Sequence, residues 1–221
     1  MEETIKILIY IHAFFGGIGL ITGIGSIIVK KGNVFHKRLG KVFSYAMILS
    51  SLISLLVARM PNHENLFLFL IGIFTIYLVL AGNRALTLKN KSKIKADMID
   101  KTISGSMLIA SIVMILIGVL GIIQKIDNSI LYLFFGGFGI FMTIRDFQTF
   151  KNFTTIKNAW LKSHLGRMIG ALIASLTAFM VAGLNIGTLI IWISPTLLGT
   201  IYIIYWNRKL KTKTVSKNIY I

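Results

Sequence analysis

Residues 5–29, IKILIYIHAFFGGIGLITGIGSIIV, contain one Lys and no acidic residue, and their length decides the fold. A helix rising about 1.5 Å per residue needs roughly 20 residues to cross a hydrocarbon core of about 30 Å, and this stretch exceeds that. Outward from it, six more apolar stretches follow at 39–58, 66–86, 103–123, 130–144, 164–184 and 186–205, the fifth being the shortest. The whole chain has 221 residues, 55% hydrophobic and 14% charged, which excludes an ordinary water-soluble globule. Glu2 and Glu3 precede the first stretch and no small-residue cleavage site closes it, so a cleaved signal peptide is not expected.

The formal charge of +17 is explained by where it sits. Segments 30–41, 84–101, 145–167 and the tail after Trp206 hold 21 of the 24 Lys and Arg, while Lys6, Arg59 and Lys125 are alone on the alternate side. Basic residues accumulate in cytoplasmic loops, so the alternation predicts an all-α integral membrane protein of seven transmembrane helices, N-terminus outside and C-terminus inside. Residues 1–206 form one transmembrane domain and 207–221 a basic cytoplasmic tail. The expected partner of that charge is a bilayer with anionic headgroups. No basic-aromatic recognition module accompanies it, so nucleic acid is not an expected partner. The loop 89–95, alternating Lys with small or polar residues, reads as solvated. Zero Cys removes disulfides and thiolate ligands together.

Phe14-Phe15-Gly16-Gly17-Ile18-Gly19 in the first span matches Phe134-Phe135-Gly136-Gly137-Phe138-Gly139 in the fifth. Each is followed by a basic loop and a His-containing entry to the next span, at His36 and at His164. Order and direction repeat together, which predicts a parallel internal repeat relating helices 1–2 to helices 5–6. Gly16, Gly17, Gly136 and Gly137 are then expected at helix contacts, where small residues let backbones approach closely.

Equivalent placement would bring His36 and His164 together at the cytoplasmic side. Imidazole suits haem iron, zinc or copper, and it also carries protons near neutral pH. His36, His164, Arg38 and Arg167 are the candidate cofactor-binding residues, and His36, His164 and Asp146 the candidate metal ligands. Asp146 stands out because no topology rule requires an acid there, and an Arg is expected beside it. His12, inside the first span, needs a polar partner or a cavity. His63 lies in the turn Pro61-Asn62-His63-Glu64 and reads as solvated. The nucleophile elbow, the phosphate-binding loop and the His-Glu-x-x-His zinc helix are absent from the sequence.

His12, His36-Lys37-Arg38-Leu39-Gly40, Asp146, Trp160-x-x-x-His164-x-x-Arg167-Met168 and Trp192-x-x-Pro195, in this order, resemble an uncharacterised bacterial family of predicted multi-pass membrane proteins, a domain of unknown function. The resemblance implies a bacterial inner-membrane location and supplies no reaction. From the residues, the leading expectation is a membrane protein binding a redox cofactor, b-type haem above all, at the His36–His164 pair, for electron transfer or oxidoreduction. The alternatives are a non-catalytic transporter or assembly factor, whose basic vestibule binds an anionic or quinone-like solute, a lipid or a partner, and a zinc-dependent membrane hydrolase using a divalent metal on His36, His164 and Asp146.

Overall fold

The computed structural model describes residues 2–90 and 92–218, with side chains as far as Leu210. Among these residues there is no strand, and seven long helices follow one another: α1 Glu2–Ile28, α2 Val34–Val57, α3 Leu66–Ala85, α4 Met98–Ile123, α5 Ser129–Asn152, α6 Ala159–Ala178 and α7 Leu189–Asn218. A 3₁₀ turn, Leu86–Lys89, prolongs α3, and a π turn, Phe179–Gly183, prolongs α6. Each of the seven is long and apolar enough to cross a membrane. Large apolar side chains such as Ile21, Ile109 and Leu198 face outward, as a hydrocarbon solvent requires.

Several helices begin before the apolar run does. Asn33 caps α2, its side chain accepting from the His36 amide at 2.7 Å, so His36 lies in the first helical turn. α6 starts at Ala159 and α5 continues to Asn152, which places His164, Arg145 and Asp146 inside helices rather than at their mouths. Apolarity stops at the first charge, whereas backbone hydrogen bonding continues to the cap. The basic segment 207–218 likewise continues α7.

α3 is the most buried helix, packed by α2, α4 and α6. Phe43, Met47, Phe74, Leu78, Met107 and Met142 form the main core around it. At the end away from the basic loops, Phe67 meets Tyr132, Trp192 and Phe135 edge-on, with centroids 5.0, 5.2 and 5.7 Å apart. At the basic end, Arg84 and Lys93 both bind Asp97 and Asp100, with Lys93 Nζ 2.7 and 3.0 Å from the two carboxylates. The loop 89–95 is thus partly tied down rather than fully solvated; its Lys91 lies outside the described residues. Hydrogen bonds from Lys93 and then Arg84 hold the Asp97 carboxyl below its ordinary range. Lys31 closes α1 by donating to the carbonyls of Ile27 and Ser26, and burial pushes its ammonium pKa down.

The two glycine motifs pack through matching positions but on different neighbours. A Cβ on Gly19 would sit 2.7 Å from Met47 Sδ on α2, whereas one on Gly139 would run into Ser111 and Met107 on α4. Gly136 lies against the Ser111 carbonyl and Gly16 near Ser50. Gly17 and Gly137 face open space, which corrects the expectation that they lie at contacts. α1 pairs along its length with α2, while α5 pairs with α4 and barely touches α6.

Candidate functional site

α6 presents two chemically different faces. His164, Met168 and Leu172, four residues apart, point toward α1, α2 and α3: His164 Nδ1 lies 2.9 Å from the Gly82 carbonyl, Met168 packs on Gly82, and Leu172 on Gly23. Ser163, Gly166, Arg167, Gly170, Ala174 and Thr177 line a cavity on the other side. This i, i+3, i+4 stripe of small and polar residues has the helical period.

Arg167 joins the cavity to the core. One of its terminal nitrogens, Nη2, donates to Asp146 Oδ1 at 2.6 Å and to the Met142 carbonyl at 2.7 Å. The other carboxylate oxygen of Asp146 accepts from the Tyr77 hydroxyl at 2.6 Å and from Ser104 at 3.0 Å. Four helices thus meet on one buried carboxylate, and the expected Arg partner of Asp146 is Arg167. Arg84 is committed to Asp97 and Asp100 instead. A buried ion pair is tolerable only when its remaining polar valences are met, and here two hydroxyls and a carbonyl meet most of them.

The cavity has a volume of about 830 Å³ and lies between α5, α6 and α7, where α5 and α6 part. That is within the usual size range of sites for small organic ligands. Along α5 its lining runs from Phe134 to Asn152, about 27 Å at 1.5 Å per residue. Phe134, Phe135, Phe138 and Phe141 make its apolar wall; Arg145, Lys162 and Arg167 bring cations, and no acidic side chain lines it. Phe141 and Ile204, both exposed, stand at its rim. Three buried side-chain atoms among the described residues lack a hydrogen-bond partner, namely Arg167 Nε, Thr177 Oγ1 and Asn207 Oδ1, and all three residues line this cavity. Orphaned buried polar atoms are rare in folded proteins.

The other sequence candidates fall elsewhere. His36, in the first turn of α2, has its Nδ1 2.9 Å from the Ser26 carbonyl, and His164 lies in the second turn of α6, both next to the basic loops. The two imidazoles therefore share the basic end, behind α6 as seen from the cavity. Arg38 is exposed and joins neither group. His12 finds its polar partner in Ser50, with its Nδ1 2.9 Å from both the hydroxyl and the carbonyl. His63 is exposed. Among the described residues no three His, Asp or Glu converge on one point, and the Asp146 oxygens already face three donors. Of the expected ligand set, the structure holds His36 and His164 by backbone carbonyls and pairs Asp146 with Arg167 as its counter-ion.

Sequence reasoning missed Tyr77, Ser104, Thr177 and Asn207. The α7 part had a signal, because Thr196, Thr200, Ile203 and Asn207 keep a helical period within an apolar run. Tyr77 and Ser104 had none, since each is one of several polar residues in its helix, with Thr75 on α3 and Ser106 and Ser111 on α4 equally plausible by sequence.

The architecture is that of a multi-pass helical membrane protein. The chain matches no protein-family model, no characterised protein and no solved structure.

Proposed function

We propose that the chain is a non-catalytic membrane protein, a carrier that takes an anionic amphiphile from the bilayer into the cavity between α5, α6 and α7. The observation that carries this reading is that the three residues holding an unpartnered buried polar atom, Arg167 among them, all line one cavity, together with Arg145, Lys162 and a phenylalanine wall. A polar group left without a partner costs about 1–3 kcal/mol, so three of them around one cavity mark a place that packing has not been optimised to fill. The aromatic wall favours an apolar body, and the acid-free lining favours a negative head. The Lys and Arg partition supports an N-terminus outside and a C-terminus inside, and the motif resemblance supports a bacterial inner membrane. The test is native mass spectrometry of protein purified in mild detergent. Retained lipid-sized adducts that disappear when Thr177→Leu and Thr200→Leu fill the cavity are expected; adducts unchanged by the filling would refute the reading.

A second reading keeps b-type haem at His36 and His164. It is favoured by the carbonyls that hold each Nδ1, which leave both Nε2 atoms without a hydrogen bond to the described residues. Fixing one ring nitrogen so that the other can ligate is how ligand imidazoles are commonly oriented. A Soret band lost in both His36→Ala and His164→Ala would establish it, and a haem-free spectrum after reconstitution with hemin would remove it.

A further inference from the structure

The amphiphile reading leaves the head group open, and the charge arrangement narrows it. Of the three cations lining the cavity, only Arg167 has an acidic partner among the described residues, Asp146 at 2.6 Å. Arg145 and Lys162 appear in no ion pair, and both stand on the basic side of Arg167, Arg145 exposed and Lys162 half-buried. The lining therefore carries two uncompensated positive charges. Arg167 is 6% exposed, and its Nε is a buried atom without a hydrogen-bond partner. With Nη2 held by Asp146 and the Met142 carbonyl, the Arg167 guanidinium is committed to the core, which leaves Arg145 and Lys162 as the cations open to a ligand.

Resting on that reading, we infer that the amphiphile's head is a phosphate monoester, seated by Arg145 and Lys162, with its apolar chain along Phe134, Phe138 and Phe141. A carboxylate brings one charge and two oxygens. A phosphate monoester brings a charge of about −1.5 to −2 at pH 7 and three strong acceptor oxygens, which matches two unpaired cations with several N–H donors between them. Asp146, Tyr77 and Ser104 act as positioning residues that hold Arg167 in place and do not touch the head.

The test measures binding of phosphatidate, oleate, phosphatidylcholine and inorganic phosphate to the full chain in neutral detergent by thermophoresis. Phosphatidate is expected to bind at least about tenfold more tightly than oleate or phosphatidylcholine, the worth of one further charge-assisted hydrogen bond. Its affinity should fall as pH drops from 7.5 to 5.5, because the second phosphate ionisation lies near pH 6. Arg145→Gln and Lys162→Gln should each weaken phosphatidate about tenfold and flatten that pH dependence. Arg38→Gln, at the same end but outside the cavity, should do neither. Arg145 and Lys162 are not fully buried, so these variants keep the fold. Equal affinity for oleate and phosphatidate overturns the phosphate inference while leaving the carrier reading intact. Tight binding of inorganic phosphate, undiminished by filling the cavity with Leu, overturns the lipid source. No measurable binding of any amphiphile overturns both readings.

Discussion

Removing the Asp146 carboxylate separates its charge from its shape. It accepts from Arg167 at 2.6 Å, Tyr77 at 2.6 Å and Ser104 at 3.0 Å, and it is 2% exposed. Asp146→Leu leaves Arg167, 6% exposed, as a buried cation without its counter-ion, and Arg167→Met leaves Asp146, 2% exposed, as a buried anion. Breaking a buried pair from one side costs about 3–5 kcal/mol, and that is the expected loss. Replacing both members, as Asp146→Leu with Arg167→Met, removes both charges and fills their space, so its cost should be near zero to about 2 kcal/mol, well short of the sum of the singles. The coupling in this cycle should therefore be at least about 3 kcal/mol. The assay is reversible unfolding in mixed micelles against SDS fraction, followed by circular dichroism. Single variants costing less than about 1 kcal/mol, the worth of an exposed ion pair, would refute the claim that this pair is the buried junction of the bundle. So would a double variant whose cost equals the sum.

Tyr77→Phe should cost about 1.5–3 kcal/mol in the same assay, because it removes one hydrogen bond to a charged acceptor and leaves the other two. Gly139→Ala should destabilise by about 1–3 kcal/mol through overpacking on Ser111 and Met107, whereas Gly137→Ala, facing open space, should stay within about 0.5 kcal/mol. Because Lys93 and Arg84 hold the Asp97 carboxyl below its ordinary value, the stabilisation it brings is complete above the unfolded value of about 3.9 and is lost as pH falls through the lower folded value. The unfolding midpoint of the wild type should therefore fall below about pH 4 more steeply than that of Asp97→Asn. Reporter fusions after Lys95 and Lys213 should read cytoplasmic and one at Asn128 external; a cytoplasmic Asn128 would reverse the orientation.

Seven apolar lengths and a one-sided Lys and Arg pattern are legible in the chain because the bilayer acts on each segment separately. Length and charge suffice, and no partner helix need be known. The Arg partner of Asp146 was also foreseeable, since a lone acid in a helical membrane domain must be neutralised. Which Arg it was depended on packing: the loop between α3 and α4 folds Asp97 and Asp100 back onto Arg84, which is taken by them, and that leaves Arg167. The shared Phe-Phe-Gly-Gly motif predicted close contacts, yet only the tertiary structure shows that α1 spends them on α2 and α5 on α4. That choice withdraws α5 from α6 and opens the cavity, so the separation of two helices decided the candidate site. A cavity belongs to the space between elements: the period of Thr196, Thr200 and Asn207 marks a polar face on α7, but neither Phe134 nor Thr177 carries a sign of the cavity until three helices are placed side by side.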